Sequence, residues 1–343
     1  MFNHQSFLTW AKYCGRGARG YVNDLLIKNP TLVVGIGGAG GRIAKQTNGT
    51  FECKNLLISS DKKDLAGCET CVFVESSGWV NPSIYKLRSF AQSQSREIVA
   101  AIAGFSTVVL ISNLAGKSGC AMAPTISKLA KVSGATVIAV AIMPFKFEKD
   151  RLFAAGNAFR RLRETCDSVI VMDNDAFLDN NPELSQEECF SLTNKAIIDV
   201  LGSITTSSIR REVNVLCTSK SGADSESSLR DSIAMLYQNI PNPGSIRRTM
   251  LYVMGGEKVP VGDLNKMVGH MQGMFEAENA TEVAMTSVAS SDGVKVHLMA
   301  SAQQKTRFDR YDPLGDIFPK ESVLDWDEPE SGTEISLPIP VME

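Results

Sequence analysis

The chain has 343 residues, of which 43% are hydrophobic and 21% charged, a composition typical of a globular protein with more than one core. A formal net charge of −3 leaves no basic face of the kind that nucleic-acid binding needs. No apolar run is long enough to cross a membrane and no secretory leader is evident, so the cytoplasm is the expected location.

The first informative pattern is a strand, a glycine-rich turn, a helix and a second strand. The apolar run Leu32–Val34 leads into Gly35–Gly41, and the run Leu56–Ile58 ends at Asp61. Glycines let backbone N–H groups approach phosphate oxygens, and the helix that follows adds its partial positive charge. The Asp61 carboxylate can accept a hydrogen bond from a ribose hydroxyl or help to organise a metal. The spacing fits a phosphate loop, a dinucleotide-binding turn, or a glycine turn without a ligand.

A second small-residue turn, Asn113–Cys120, follows the apolar run Phe105–Ile111. Gly116-Lys117-Ser118 looks like the end of a Walker A motif, but Ile111 stands where that motif requires glycine, which excludes a P-loop. The turn still has the form of a strand-to-helix phosphate loop, and we expect the helix to begin near Ala123.

The other patterns alternate between strands and helices. Strands are predicted at residues 135–143, 168–172, 249–254, 282–287 and 294–300, helices at 84–103, 149–165, 185–203, 229–238 and 261–275, and a loop at 219–228. Repeated strand–turn–helix units predict an α/β fold with a doubly wound, mostly parallel sheet, which binds ligands at the carboxyl ends of its strands. Ser185 and Glu188 form a capping box that opens a helix long enough to bridge two domains.

These patterns predict five parts. They are an N-terminal extension (1–30), a nucleotide-binding domain (31–184), a central helix (185–206), a smaller α+β domain (207–305) and an acidic, disordered tail with an apolar terminus (306–343). The extension is expected to pack on its own subunit or on a neighbour. Cys68 and Cys71 have zinc spacing but lack two further ligands, so no metal site is predicted.

The order and spacing of these loops resemble the FtsZ/tubulin superfamily, FtsZ in particular, from about Thr31 to Ala302. The motifs that match the family are Gly35–Gly41, Ile58–Asp61, Asn81-Pro82, Ala115–Ala121 at the place of the tubulin signature, Pro144–Glu148 with Arg151 as the ribose loop, Asp173–Asp175, and Phe190 with Asn194 on the central helix. The resemblance implies that nucleotide is bound by Gly37, Gly38, Ala39, Gly40, Gly41, Arg42, Asp61, Ala115, Gly116, Lys117, Ser118, Gly119, Glu148, Arg151, Asn174, Phe190 and Asn194.

By resemblance the ligand is GTP or GDP, with room for Mg²⁺, and the partner is a second copy or another FtsZ-like protein in a head-to-tail filament. The chain also departs from the family. Lys117 and Cys120 replace glycine and threonine of the signature, and Lys195 replaces an aspartate that hydrogen-bonds guanine. Residues 204–219 contain no aspartate and only Glu212, whereas the family places there the acidic loop that polarises the attacking water. We therefore identify no catalytic residue and expect GTPase activity to be weak or absent.

Two other functions stay open. The chain could be a non-polymerising regulatory or scaffolding relative that recruits a membrane-associated adaptor through its tail. It could also be a Rossmann oxidoreductase, although His4, His270 and His297 are scattered and offer no constellation for hydride transfer.

Overall fold

The structure is a computed structural model that describes residues 24–76, 78–176, 178, 181–205, 208–220, 224–254, 259–274, 280–286, 294–303 and 305–313. Most of the predicted N-terminal extension and of the predicted acidic tail lies outside the described residues. No helix in these ranges is both long and apolar enough to cross a membrane.

Strands and helices alternate through most of the described chain. The strands are β1 (Asp24–Leu25), β2 (Thr31–Ile36), β3 (Lys54–Ser59), β4 (Cys71–Phe73), β5 (Thr107–Asn113), β6 (Thr136–Met143), β7 (Ser168–Asp173), β8 (Ile209–Arg210), β9 (Val213–Thr218), β10 (Ile246–Met254), β11 (Ala280–Thr286) and β12 (Lys295–Ala302). The helices are α1 (Gly37–Gln46), α2 (Ile84–Ser93), α3 (Ser95–Ile102), α4 (Lys117–Val132), α5 (Lys149–Thr165), α6 (Gln186–Ile204), α7 (Ser225–Asn239) and α8 (Val261–Met274), with short 3₁₀ turns at Pro243–Ser245 and Arg307–Tyr311.

A ten-stranded sheet runs through the molecule in the order β11-β10-β12-β9-β7-β6-β5-β2-β3-β4. Seven neighbouring strands of this sheet are mutually parallel, namely β9, β7, β6, β5, β2, β3 and β4. Strand β12 is antiparallel to both β9 and β10. The chain winds outward from β2 to β4, then returns beside β2 as β5, so the topological switch point lies between β2 and β5. The predicted α/β class with a mostly parallel, doubly wound sheet is confirmed.

Every residue of β2, β7 and β9 is buried, as are nearly all residues of β5 and β6. Helices cover both faces of such a sheet, which is why these strands read as continuous apolar runs rather than alternating ones. The same burial fixes the strand ends, and so the positions of the loops that follow them.

The second half of the chain extends the same sheet instead of building a separate one. Strand β9 pairs with β7 from Val169 to Met172 and with β12 on its other side. The sequence patterns did not predict β9, because its apolar run follows the long helix α6 after a short link. Because β9 lies between β7 and β12, it joins the strands of the two predicted domains into one sheet.

Three predicted boundaries were wrong. Helix α4 begins at Lys117, not at Ala123, and includes Pro124 inside the helix. The predicted helix at 84–103 is two helices, since Gln94 leaves the helical conformation. The predicted loop at 219–228 contains the start of α7, whose N-cap Asp224 accepts a hydrogen bond from the Ser227 backbone N–H at 2.7 Å.

Candidate functional site

Two helix N-termini meet at the switch point. Helix α1 begins at Gly37, whose φ of +66° favours glycine, and a Cβ there would lie 3.0 Å from the Cβ of Ser118 in α4. Neither helix has a side-chain cap at its N-terminus, and neither has an acidic residue in its first turn. Their first-turn N–H groups and partial positive charges therefore converge on one place, which suits an anion such as phosphate.

Two hydrogen bonds fix the conformation of the loop after β5. The side-chain oxygen of Asn113 accepts a hydrogen bond from the Ala115 N–H at 2.9 Å, and the Leu114 N–H donates to the Ile142 carbonyl at 2.9 Å. These contacts place the predicted stretch Ala115–Gly119 directly beside Gly37–Gly41 at the switch point. The predicted Arg42 lies on α1 with its side chain exposed.

The loop after β3 borders the same place. Ser60 Oγ lies 3.5 Å from Ser118 Oγ, and Asp61 Oδ1 accepts from the Lys63 N–H at 2.9 Å. Asp64 accepts from Ser59 Oγ at 2.7 Å, and its other oxygen lies 2.6 Å from the position that a Cβ on Gly38 would occupy. The Asp64 carboxylate thus stands next to the first glycine loop, and Asp61 lines the cavity that Ser118 also borders.

A cavity of about 450 Å³ opens between these loops. It is lined by Ser60, Asp61, Lys62, Phe73, Ser76, Trp79, Asn81, Pro82, Leu87, Lys117 and Ser118. Inside it, the Lys117 ammonium donates to the Asn81 side-chain oxygen at 2.6 Å. The set of candidate residues drawn from the sequence did not include Ser60 and Asn81, although the Asn81-Pro82 dipeptide was a usable signal for the second.

The opposite end of the predicted site contains aromatic rings. Phe190 of α6 lies 5.6 Å from Phe145 between ring centroids, and Phe145 stacks on Phe147 at 5.1 Å. Glu148 accepts from the Phe145 N–H at 3.1 Å and pairs with Arg151 at 2.7 Å. The loop after β6 and the central helix therefore meet through aromatic contacts, and Phe190 stays partly exposed.

Asn174 lies between these elements and is buried. Its Nδ2 donates to the Met143 carbonyl at 3.3 Å, and its Oδ1 accepts from Thr193 Oγ1 at 2.9 Å. Both ends of the amide are therefore engaged by neighbouring elements, which fixes the side chain between β6 and α6. Asn194, the next residue after Thr193, is only half-buried.

The loop that carries Asn174 is anchored by the 3₁₀ turn Arg307–Tyr311. Asp173 forms an ion pair with Arg307 and accepts from the Asp175 N–H at 3.0 Å. Burial raises the pKa of Asp173 to about 6, against the opposing effect of the Arg307 guanidinium. Asp175 in turn pairs with Lys146 at 2.8 Å, which ties this loop to the one after β6.

All the predicted site residues follow the carboxyl ends of β2, β3, β5, β6 and β7 or lie on the first half of α6. These five strands are neighbours, so at about 4.8 Å per strand their ends form a row of about 19 Å. The structure gathers the glycine loops at one end of the row and the residues Glu148, Asn174, Phe190 and Asn194 at the other.

Comparison with known proteins matches residues 30–182 to the Tubulin/FtsZ family, GTPase domain. Residues 30–182 therefore have the sequence of a GTPase domain of the Tubulin/FtsZ type. Among its FtsZ relatives, FtsZ 2 of Methanocaldococcus jannaschii is 29% identical over 197 residues, covering 54% of this chain and 51% of that protein. FtsZ of Haloferax mediterranei is 31% identical over 182 residues, covering 50% and 48%. The chain thus spans about half the length of the FtsZ relatives it matches.

Solved FtsZ-type structures share the fold. An empty FtsZ dimer from M. jannaschii superposes with a TM-score of 0.67 at 20% identity, covering 81% of this chain and 89% of that one. CetZ2 of Haloferax volcanii, a protofilament with bound GTPγS, gives 0.60 at 18% identity, covering 82% and 97%. The FtsZ-type fold therefore extends beyond the matched GTPase domain into the second half of the chain.

Proposed function

We propose that this chain binds GTP or GDP along the row of strand ends and assembles head to tail into filaments, with weak or absent GTPase activity. The main support is the convergence of two uncapped helix N-termini at the switch point, with a partly exposed Phe190 and Asn194 about two strands away, beside the loops after β6 and β7. One relative of the same fold is a GTPγS-bound protofilament. A contact between unlike ends of two copies does not close on itself and so extends into a filament.

Mg²⁺ would bind together with the nucleotide phosphates rather than in a site formed by protein ligands alone. Within the described ranges, no three His, Cys, Asp or Glu side chains are grouped closely enough to hold a metal ion. Nucleotide-bound Mg²⁺ usually takes one or two carboxylates besides phosphate oxygens and water. Asp64 beside Gly38 and Asp61 in the cavity lining fit that requirement, and the ion would neutralise phosphate charge there.

The link after α6 argues against efficient hydrolysis. Helix α6 ends at Ile204, and β9 begins at Val213 beside Val169, the second residue of β7. The link therefore leads into the amino ends of the strands, opposite the proposed nucleotide site. A head-to-tail neighbour would receive its catalytic carboxylate from this edge. Glu212 is the one acid in the link, and burial raises its pKa.

Asp24 also lies at this edge, but it is engaged within the protein. Its strand β1 pairs with β8, and its carboxylate accepts from Ser208 Oγ at 3.2 Å and approaches Arg248 and Arg210 at 3.5 and 3.7 Å. A carboxylate held by two guanidinium groups is a poor candidate for polarising water in another subunit. We therefore infer slow GTP turnover.

The first test combines nucleotide identification, sedimentation and phosphate release on the purified full chain. We expect guanine nucleotide in the denatured supernatant, polymer that pellets and is seen by electron microscopy when GTP is added, and phosphate release close to background. Turnover at ordinary FtsZ rates would refute the loss of hydrolysis. Nucleotide binding without polymer would instead favour the scaffolding function, and nicotinamide in the supernatant would favour the oxidoreductase.

A matched pair of variants on α6 tests the base end of the site. Asn194→Ala should weaken the binding of both GTP and GDP about fivefold, because one hydrogen bond to the base is worth roughly 1 kcal/mol. Ser191→Ala, an exposed residue one turn earlier, should leave both affinities unchanged. Equal affinities for the two variants by titration calorimetry would remove Asn194 from the site.

The acidic tail is the proposed docking segment for a membrane-associated adaptor. Residues 314–343 end in the apolar run Ile335–Val341 after an acidic stretch. Removing residues 320–343 should leave nucleotide binding and assembly intact while abolishing adaptor recruitment, measured by localisation of a fluorescent fusion to membranes. Unchanged localisation would contradict this role.

A further inference from the structure

Lys117 puts a positive charge at the N-terminus of α4, the end of a helix that favours negative charge. It is the first residue of α4, its side chain is exposed, and its ammonium group lies in the 450 Å³ cavity, where it donates to Asn81 Oδ1 at 2.6 Å. Position 117 is a glycine in the tubulin signature that this loop resembles. The chain therefore adds a positive charge at the place where two helix N-termini already favour an anion.

The Asn81 loop is shaped to meet this lysine. Asn81 adopts φ +55° and Gly78 adopts φ +77°, both in the left-handed region, which asparagine and glycine tolerate best. The resulting turn points the Asn81 side-chain oxygen at the ammonium group. A lysine ammonium has three N–H donors, so Asn81 can fix its position while two donors remain for a ligand.

The order of the strands indicates which phosphate Lys117 would meet. The base-end residues follow β6 and β7, the signature loop follows β5, and the cavity lies beyond it, between α4 and the loops after β3 and β4. A nucleotide laid along this row from Phe190 puts its last phosphate nearest the cavity. Ser118, at the cavity wall, is 3.5 Å from Ser60 between hydroxyl oxygens, which adds two more polar groups.

We propose that Lys117 binds the terminal phosphate of the nucleoside triphosphate and that Asn81 positions its ammonium group. This inference rests on the proposed nucleotide site and adds a residue-level basis for preferring GTP over GDP. A fixed ammonium supplies positive charge whether or not Mg²⁺ is present, so the GTP preference of the wild type should persist when Mg²⁺ is chelated.

The experiment measures GTP and GDP affinities of the full chain by titration calorimetry, with and without Mg²⁺. Lys117→Gln should weaken GTP binding about 10- to 100-fold, the range for losing a charge-assisted hydrogen bond, and GDP binding less than threefold. Lys117→Arg should bind GTP within threefold of the wild type because it keeps the charge. Lys128→Gln, the same change at an exposed site further along α4, should alter neither affinity.

Asn81 is tested by two variants with opposite chemistry. Asn81→Ala should weaken GTP binding three- to tenfold, because the ammonium is no longer fixed. Asn81→Asp should weaken it further, since a carboxylate neutralises Lys117 and repels phosphate. A purely structural role for Asn81 would lower both GTP and GDP affinities together.

The outcomes separate the two levels of the argument. If the wild type binds neither GTP nor GDP, the proposed function fails and this inference fails with it. If the wild type binds both, but Lys117→Gln has the same ratio of GTP to GDP affinity as the wild type, the nucleotide site stands and the role of Lys117 is overturned.

Discussion

The packing of α1 on β2 offers the sharpest test of how the first glycine loop is built. A Cβ on Gly35 would lie 2.7 Å from both the Gly40 carbonyl oxygen and the Gly41 Cα, and 2.8 Å from the Ala44 Cβ. Carbon atoms essentially never come within 3.0 Å of such groups, so Gly35→Ala requires α1 to move outward by at least 0.3 Å. Two of the three obstructing atoms belong to the backbone and cannot rotate away. Overpacking of this kind costs about 1–3 kcal/mol.

The matched control is Gly41→Ala in α1 itself. A Cβ there would make ordinary contacts of 3.7 Å with the Leu57 side chain, and alanine is up to about 1 kcal/mol better than glycine in a helix. Urea denaturation should therefore show Gly35→Ala less stable than the wild type by about 1–3 kcal/mol and Gly41→Ala equally or more stable. Gly35→Ala should also lose GTP affinity, because the N-terminus of α1 moves. A Gly35→Ala variant as stable as Gly41→Ala would refute the close-packing argument.

Two further predictions concern contacts away from the site. Phe308 is fully buried, and its ring centroid lies 5.9 Å from that of Phe159 in α5. Phe308→Ala should therefore lower the free energy of unfolding by about 3–5 kcal/mol, measured by urea denaturation. A loss below about 1 kcal/mol would mean that the turn Arg307–Tyr311 does not stabilise α5. Asp167 accepts from Lys131 at 2.5 Å and Arg211 at 2.6 Å; burial raises its pKa, but the Lys131 hydrogen bond and its other partners outweigh this and the net pKa is lowered. Because the pKa of Asp167 is lower in the folded state than in the unfolded state, the ionised carboxylate stabilises the fold above the unfolded pKa of about 4. This stabilisation is lost as the pH falls below that value. Asp167→Asn should therefore lower the free energy of unfolding by about 1–3 kcal/mol at pH 7 and by progressively less below pH 4. A difference independent of pH would contradict that assignment.

The two loops that meet at the switch point were the part of the fold most readable from sequence, for a physical reason. A buried parallel strand leaves a continuous apolar run, and the glycines of Gly35–Gly41 are required where a helix starts against a strand. Both signals are local, so Leu32–Val34 and Phe105–Ile111 located their strands and the loops that follow them. Once several such units are recognised, their strand ends must share one edge of the sheet.

Contacts between distant segments could not be predicted in this way. The bond between Asn81 and Lys117 depends on how the loop after β4 folds over α4, which no spacing in the sequence specifies. Strand β9 was missed because its place between β7 and β12 is decided by long-range pairing. Asn174 was expected at the base, yet the structure shows that its amide also ties β6 to α6, a role that depends on Thr193 being opposite.

The short link after α6 and the pairing of β1 with β8 are structurally connected, because β8 lies within that link. With only residues 205–212 between α6 and β9, the chain has no room for a projecting acidic loop and enters the sheet directly. The two-residue strand β8 then exposes its backbone edge, which β1 covers by antiparallel pairing. That pairing brings Asp24 to Arg248, an almost fully buried guanidinium that needs a counter-charge. The carboxylate at this edge is thus committed to stability within one subunit. If filaments form, nucleotide exchange rather than hydrolysis should then set their lifetime, so exchange of labelled GTP into polymer should match the rate of subunit loss.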